Sequence, residues 1–335
     1  MTDLGGLEYF KLGINFASYL YFPAAPALVW LAAKRTGLLR WAALAFLTVI
    51  SLFAYGRFVE PRILIAPEYN VTLDRCFAES GAVRVAVASD FHIGLFGNAM
   101  PIDRIAARIN KANPDFVLLA GDFIYFLDPA RYDAAFGAFG AVDAPVYGVL
   151  GNHDFGLPGP DQSGVLQSAL PSLGVRLVDD SRNAIAVRNS NLEIVGLSDD
   201  WAGHQDLALL EAQTTSPRIV LTHNAASVRD FSPDAVVDLL VAGHTHGGQI
   251  NLPGATCLLT TMCGKRRYGL SRGHESYPLR GGIAQHNENQ TDARRDSLIF
   301  TTSGTGMVGL PMRFRVPPRI DMLNIRWHRC ETEIR

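Results

Sequence analysis

The chain has 335 residues, which is enough for one large domain and a smaller element. Its net charge of -2, with 19% charged residues, supplies no global positive field, so we expect no nucleic-acid partner. Hydrophobic residues make up 48% of the chain, a high share for a soluble enzyme, which indicates a locally apolar segment.

The apolar excess lies in residues 1–66. Residues 12–33 and 41–56 contain no charged side chain. A helix needs about 20 apolar residues to cross a bilayer, with a range of about 17–25. The first run satisfies this length, and the second is extended by Leu38 and Leu39. No cleavage site typical of a signal peptide follows the runs. The sequence therefore predicts a transmembrane helical hairpin, with helices near 12–33 and 38–56, that anchors the protein in the cell (inner) membrane.

The charged residues around the hairpin leave the side of the membrane open. Lys34, Arg35 and Arg40 lie between the two runs, and the positive-inside rule would place them in the cytoplasm and the remaining chain outside. Arg57 and Arg62 follow the second run and favour the opposite orientation.

The four cysteines are too few and too scattered for a disulfide framework or a thiolate zinc site. We expect Cys76, Cys257, Cys263 and Cys330 to be free, buried thiols. The alternative is a Cys257–Cys263 pair, if the domain faces an oxidising compartment.

Polar residues follow strand after strand in the remaining chain. Apolar strands are predicted at 83–88, 116–120, 146–150, 218–221 and 237–242. Open α/β sheets place ligand sites at the carboxyl ends of such strands. Asp and Asn at these positions could instead cap helices or turns, but four strand ends that carry histidines favour a common site. The residues concerned are Asp90, His92, Asp122, Asn152, His153, His223, His244 and His246.

Seven of these residues, all but His153, form a donor set of oxygen and imidazole ligands without a thiolate. Such a set suits Mn²⁺, Fe or Zn²⁺. It is too large for one ion and sufficient for two, with a carboxylate as the natural bridge. Two ions about 3.5–4 Å apart activate water and clamp the oxygens of an in-line displacement, which is the chemistry of phosphoester hydrolysis.

The order of the motifs resembles the calcineurin-like metallophosphoesterase family. The motifs are D-F-H at 90–92, G-D at 121–122, G-N-H-D at 151–154, H-N at 223–224 and G-H-T-H at 243–246. The resemblance implies a four-layer α/β/β/α sandwich over residues 67–335. It assigns the first metal to Asp90, His92, Asp122 and His246, and the second to Asp122, Asn152, His223 and His244. His153 would donate to the leaving oxygen and would not bind metal.

The tail of the chain resembles the membrane-associated and exported bacterial branch of this family. The similarity rests on residues 303–306, 309–313 and 317–318. Arg319 departs from the pattern, because an acidic residue is expected there.

The sequence therefore favours a membrane-anchored, dinuclear metal-dependent phosphohydrolase, with Mn²⁺ as the preferred ion. The preferred substrate is a lipid precursor such as UDP-2,3-diacylglucosamine, cleaved at a phosphoester or pyrophosphate bond. The alternatives are a phosphodiesterase or phosphatase on soluble substrates, and a catalytically inactive metal-binding membrane scaffold. Lys265, Arg266 and Arg267 are candidate substrate contacts, or simply a solvated basic surface. The oligomeric state is not predicted.

Overall fold

The computed structural model describes residues 4–331, except 98, 189, 253–267 and 273–295. Three helices begin the chain: α1 (Gly6–Ala17), α2 (Tyr21–Lys34) and α3 (Gly37–Ala54). A 3₁₀ turn, Ser18–Leu20, joins α1 and α2 into one helical segment of 29 residues, and a π turn, Tyr55–Val59, extends α3. The first helix thus begins at Gly6 rather than near residue 12, because Glu8 and Lys11 continue it on a polar side.

Helices α2 and α3 pack against each other as a hairpin. The segments Gly6–Lys34 and Gly37–Arg62 are long and apolar enough to cross a membrane, and their most apolar windows are only 6% buried. Large apolar side chains such as Trp30, Leu38 and Trp41 are exposed on them. A continuous apolar surface of this kind is unfavourable in water and is expected of helices that face lipid.

The rest of the described chain is built from fourteen strands and three further helices. The strands are β1 (Glu68–Thr72), β2 (Gly81–Ala88), β3 (Ile93–Gly94), β4 (Phe116–Ala120), β5 (Ile124–Tyr125), β6 (Val146–Val149), β7 (Arg176–Leu177), β8 (Ser181–Val187), β9 (Ser190–Gly196), β10 (Arg218–Leu221), β11 (Leu239–Ala242), β12 (Gly269–Arg272), β13 (Leu298–Thr301) and β14 (Asp321–Trp327). The helices are α4 (Ile102–Ala112), α5 (Tyr132–Phe136) and α6 (Ser163–Ala169).

The strands form two six-stranded sheets. The first has the order β1-β14-β2-β4-β6-β7, and the second the order β12-β13-β11-β10-β9-β8. Strands β2, β4 and β6 run parallel in the first sheet, as do β9, β10, β11 and β13 in the second. A separate two-stranded ribbon pairs β3 with β5.

Alternating side chains along each strand fill different layers of the core. Val85 and Val87 of β2 point between the sheets, where they share a buried cluster with Ile219 and Leu221 of β10. Ala86, one position away, belongs to the cluster under α4–α6. Because both faces of the strands are covered, the strand sequences are continuous apolar runs rather than alternating ones.

The predicted four-layer sandwich is confirmed, with one difference in its outer layer. Helices α4–α6 cover the first sheet, as expected. Over the second sheet, the described residues place the 3₁₀ turns Leu207–Leu210 and Ala225–Asp230 rather than α-helices. Between β5 and β6, helix α5 is likewise short and is flanked by the 3₁₀ turns Pro129–Arg131 and Gly137–Ala141.

The expectation of free thiols is wrong for two of the cysteines. Cys76, shortly after β1, forms a disulfide with Cys330, shortly after β14, across a sequence separation of 254 residues and a Cα–Cα distance of 4.8 Å. The pairing follows from the sheet, because β1 and β14 are hydrogen-bonded neighbours that run parallel. Cys257 and Cys263 lie outside the described residues.

Candidate metal centre

The carboxyl ends of five parallel strands meet where the two sheets come together. The first sheet contributes the loops after β2, β4 and β6, and the second contributes those after β10 and β11. All eight residues predicted from these loops lie in this region, and all are buried except His153, which is partly exposed.

The backbone at this site is conformationally unusual. Five of the residues have a positive φ, a region that few residues other than glycine adopt. They are Asp90 (52°), His92 (46°), Asp122 (55°), His244 (68°) and His246 (50°). Such conformations cost free energy, about 1–3 kcal/mol each, and they concentrate at functional sites. At this site they turn consecutive ligand candidates toward a single cleft.

One group of donor atoms comes from the loops after β2 and β11. The Nε2 atoms of His92 and His246 lie 2.9 Å apart. Asp90 Oδ1 is 3.3 Å from His246 Nε2 and 3.9 Å from His92 Nε2. These three side chains form one of the Asp/His groups able to hold a metal ion.

A second group comes from the loops after β6, β10 and β11. His244 Nδ1 lies 3.1 Å from Asn152 Oδ1 and 3.2 Å from His223 Nε2. His244 thus presents Nδ1, whereas His246, two residues later, presents Nε2 to the other group.

A single oxygen of Asp122 lies between the two groups. Its Oδ2 is 3.4 Å from His92 Nε2 and 3.1 Å from His223 Nε2. Its other oxygen, Oδ1, accepts a hydrogen bond of 2.9 Å from the backbone N–H of His153. The carboxylate is therefore held in an orientation in which Oδ2 alone faces both groups.

Neighbouring backbone groups orient the ligand candidates. His223 Nδ1 donates to the carbonyl oxygen of Ala120 at 2.7 Å, which directs Nε2 toward the second donor group. The Asn152 amide donates to the Leu157 carbonyl at 2.6 Å, which directs its Oδ1 toward His244. The backbone N–H of His244 donates to Asp90 Oδ1 at 3.1 Å, which links the loops of the two sheets.

Burial and neighbouring charges shift the pKa values of these side chains in the ion-free protein. Burial lowers the pKa of His92 and of His246 well below the usual value, and burial together with His223 lowers the pKa of His244 to about 3. Burial raises the pKa of Asp122 and lowers that of His223, but their mutual attraction outweighs it: the pKa of Asp122 lies well below the usual range and that of His223 well above it. His92, His244, His246 and Asp122 are thus in the forms that bind metals, whereas His223 must lose a proton when a metal binds.

The residues fit two metal ions. The closest donor atoms within each group are 2.9–3.2 Å apart, near the edge length expected when metal–nitrogen bonds are about 2.0–2.1 Å. The ring nitrogens His92 Nε2, His246 Nε2 and His244 Nδ1 thus face one another and the nearby carboxylate or amide oxygens. Lone pairs of buried groups brought together in this way are the arrangement that a metal ion would satisfy.

Comparison with known proteins also supports a metal centre. Residues 83–248 match the family described as "Calcineurin-like phosphoesterase". "Phosphodiesterase YaeI" of Escherichia coli is 30% identical over 213 residues, which cover 62% of this chain and 76% of that protein. The chain belongs to this family. It is a metal-dependent phosphoric ester hydrolase.

Other relatives of this phosphoesterase are more distant. "UDP-2,3-diacylglucosamine pyrophosphatase LpxG" of Chlamydia trachomatis is 24% identical over 68% of this chain and 83% of that protein. "Transmembrane protein with metallophosphoesterase domain" of Danio rerio is 24% identical over 88% of this chain and 64% of that protein.

His153 lies beside the two donor groups of the phosphoesterase, and it also forms, with His92 and Asp122, a further group able to hold a metal ion. Its ring is edge-on to His92, with centroids 4.8 Å apart, and edge-on to Tyr125, at 4.9 Å. Its Nδ1 is buried without a partner among the described residues. Tyr125, on β5, was missed in the sequence because nothing about its spacing distinguishes it from other buried aromatics.

The tail motif of the phosphoesterase supports the loop that carries Asp90. Arg313 is fully buried and donates to the carbonyls of Ser303, Gly306 and Val316 at 2.8–3.0 Å. The N–H of Gly306 in turn donates to the Asp90 carbonyl at 2.6 Å. Three backbone groups of one loop are thus gathered by a single guanidinium.

Arg319, where the family resemblance leads one to expect an acid, pairs with an acid two residues later. Its Nε donates to Asp321 Oδ1 at 2.7 Å, and its Nη2 donates to the Tyr69 hydroxyl at 2.5 Å. The departure is therefore accommodated inside the first sheet, away from the donor groups. The candidate substrate contacts Lys265, Arg266 and Arg267 lie outside the described residues.

Proposed function

We propose that this phosphoesterase is a membrane-anchored, two-metal hydrolase that cleaves a phosphoester or pyrophosphate bond of a lipid-borne substrate. The observation that carries the proposal is that two donor groups share one oxygen, Asp122 Oδ2. A site for one ion would not need a second complete donor set on the far side of that carboxylate.

In this proposal Asp90, His92, Asp122 and His246 hold one ion, and Asp122, Asn152, His223 and His244 hold the other. Mn²⁺ suits this nitrogen and oxygen set best, with Fe and Zn²⁺ as alternatives. When bound, such a pair of ions supplies an activated water and neutralises charge on the phosphoryl oxygens.

The chain itself supplies the proton. His153 is partly exposed, and its ring lies edge-on to that of His92, beside the first donor group. Burial lowers its pKa, so its protonated form is a stronger acid than a free imidazolium. That form can donate to the leaving oxygen, which lowers the barrier when that oxygen is a poor leaving group.

The anchor supports the lipid part of the proposal. We propose a division into residues 1–66, the anchor in the cell (inner) membrane, and residues 67–335, the catalytic domain. A tethered site meets a substrate of the same membrane at a high effective concentration. The LpxG relative, which is named as a pyrophosphatase of a lipid precursor, supports the same substrate class.

The test is hydrolysis by the full chain in detergent micelles with Mn²⁺, with UDP-2,3-diacylglucosamine, other lipid phosphoesters and soluble phosphodiesters as substrates. We expect turnover of a lipid substrate with a higher kcat/KM than that of any soluble compound. No turnover of any phosphoester by metal-loaded protein would overturn the proposal.

A second candidate is a phosphodiesterase that acts on soluble substrates. The YaeI relative, which is 30% identical to this chain and is named as a phosphodiesterase, favours this alternative. A soluble phosphodiester cleaved faster than every lipid substrate, in micelles and in vesicles, would establish this alternative. The anchor would then only set the location.

A further inference from the structure

Helix α1 is amphipathic, with its polar side buried against the protein and its apolar side exposed. Glu8, Lys11 and Asn15 form one stripe and are buried, with exposed fractions of 5%, 9% and 8%. On the remaining surface Phe10 and Phe16 are 65% and 68% exposed. The helix therefore turns its polar side toward protein and its apolar side outward, the reverse of a helix on a water-soluble domain.

The lower part of the stripe fixes α1 to the end of the hairpin. Arg57 donates to Asn15 Oδ1 at 2.5 Å and to the Ser18 hydroxyl at 3.2 Å. The backbone of Gly56 also accepts from the N–H of Arg313, at 2.9 Å, which joins the end of α3 to the catalytic domain. Helix α1 is thus bound to the end of the hairpin, which is itself bound to the catalytic domain.

The N-terminal part of the stripe, Glu8 and Lys11, lies near the metal centre. Lys11 Nζ donates to the Tyr125 hydroxyl at 2.6 Å and pairs with Glu8 at 3.3 Å. Tyr125 is 1% exposed, and its ring is edge-on to His153 at 4.9 Å and to His92 at 5.8 Å. A continuous chain of contacts thus runs from the anchor to His153.

The location of these charges is informative because buried Lys and Glu are costly unless they are paired. Both could extend into solvent or toward headgroups if α1 served only as a membrane anchor. They instead meet at Tyr125, whose ring contacts His153 and which lies on the short β5 strand that leaves the Asp122 loop.

We propose that α1 is part of the active site, and that Glu8 and Lys11 are positioning residues that orient His153 through Tyr125. The inference rests on the role of His153 in the proposed function. His153 Nδ1 has no hydrogen-bond partner among the described residues, so its ring is oriented by packing, and Tyr125 is a principal part of that packing. Catalysis therefore depends on how the anchor is seated on the domain.

The first test is Lys11→Met in the full chain, purified in detergent and loaded with Mn²⁺. We expect kcat for an alkyl phosphodiester to fall about 10- to 10²-fold, because a misplaced catalytic group loses rate on this scale. KM and metal content should be unchanged, and the loss should be smaller for a nitrophenyl ester. Lys34→Met, at the opposite end of α2, is the matched control and should retain full activity.

A double-variant cycle tests the route through Tyr125. If Lys11 acts on the hydroxyl of Tyr125, Tyr125→Phe should lower kcat to a similar extent. The double variant should then be no worse than either single variant, because contacting residues are non-additive. Additive losses would show that Lys11 acts by another route and would overturn the inference.

His153→Asn in the same assays separates this inference from the proposed function. Suppose that the loss of kcat in His153→Asn depends on the leaving group and the loss in Lys11→Met does not. The positioning role of Lys11 is then wrong, and the proposed function stands. If His153→Asn shows no such dependence, the role of His153 itself is wrong. Loss of metal or of folded protein in Lys11→Met would make the contact merely structural and would also overturn the inference.

Discussion

The metal centre and the polar stripe of α1 both bury charged and polar side chains, but they satisfy them differently. In the stripe, Lys11 bonds to Tyr125 and Asn15 bonds to Arg57, on regular helical backbone. In the centre, potential metal ligands meet one another: His92 Nε2 lies 2.9 Å from His246 Nε2, and His244 Nδ1 lies 3.1 Å from Asn152 Oδ1. The backbone there is also held at positive φ.

This difference separates an interface from a binding site. Apart from Arg57 Nη1, the polar groups of the stripe named here are paired within the chain, so the stripe holds parts of the protein together. The centre turns potential metal ligands toward one another, and its strained backbone is maintained by the surrounding fold. Removing single groups from either region tests this difference.

The largest effect is expected for Asp122→Ala. A shared carboxylate serves both ions, so metal content under saturating Mn²⁺ should fall from about two ions per chain, and activity should fall to background. Elemental analysis and a phosphodiester assay measure both. Full occupancy and activity in this variant would show that the centre is not dinuclear through Asp122.

His153→Asn should lower kcat by roughly 10²–10⁴-fold with metal content nearly unchanged, the scale of losing a general acid. The loss should shrink with nitrophenol as the leaving group, which needs little protonation. If the variant instead loses metal, His153 is a ligand, as its proximity to His92 and Asp122 would also allow.

Arg313→Met tests whether Arg313 stabilises the loop that carries Asp90. Without the guanidinium, the carbonyls of Ser303, Gly306 and Val316 lose their donor and the Asp90 loop loses its brace. Mn²⁺ affinity should fall about 10- to 100-fold, the usual effect of removing a group that orients a ligand. Arg326→Met, on an exposed side chain, is the control. A lower Tm with unchanged Mn²⁺ affinity would limit Arg313 to the fold.

The smallest effect concerns pH. Burial raises the pKa of Asp90 to about 6 in the ion-free protein. Because this lies above the value in the unfolded chain, Asp90 stabilises the ion-free fold at low pH, and that contribution is lost as the pH rises through about 6. Metal binding needs the ionised form, so the gain in Tm on adding Mn²⁺ should grow from about pH 5 to about pH 7.5. A gain independent of pH would indicate that Asp90 is not a ligand.

Much of the catalytic domain could be predicted because its signals are local. The strands predicted at 116–120 and 218–221 coincide with β4 and β10, since each is a short apolar run that ends in turn residues. The ligand candidates follow such strands directly, and the parallel sheet rule places their ends together.

What the sequence did not yield depends on long-range packing. The contact of Lys11 with Tyr125 joins residues 114 positions apart, and the Cys76–Cys330 bond joins residues 254 apart. Neither pair has a spacing that distinguishes it from chance. The prediction begins the first apolar run at residue 12, after Lys11, although the charge pair of Glu8 and Lys11, one helical turn apart, was a usable signal.

The disulfide also carries information about where the protein matures. Bonds of this kind persist in oxidising compartments, whereas the cytoplasm keeps thiols reduced. Lys34 and Arg35 lie at the end of the hairpin away from Gly56, which contacts the domain, and a basic turn there favours the cytoplasmic side.

Both features predict that the catalytic domain faces outward. In a Cys257→Ser, Cys263→Ser background, Cys76 and Cys330 should resist maleimide labelling in freshly lysed cells until a reductant is added. Immediate labelling would place the domain in the cytoplasm. Because the bond spans 254 residues, it can close only after nearly the whole domain has been synthesised. If the domain faces outward, formation of this bond would mark the completion of its export.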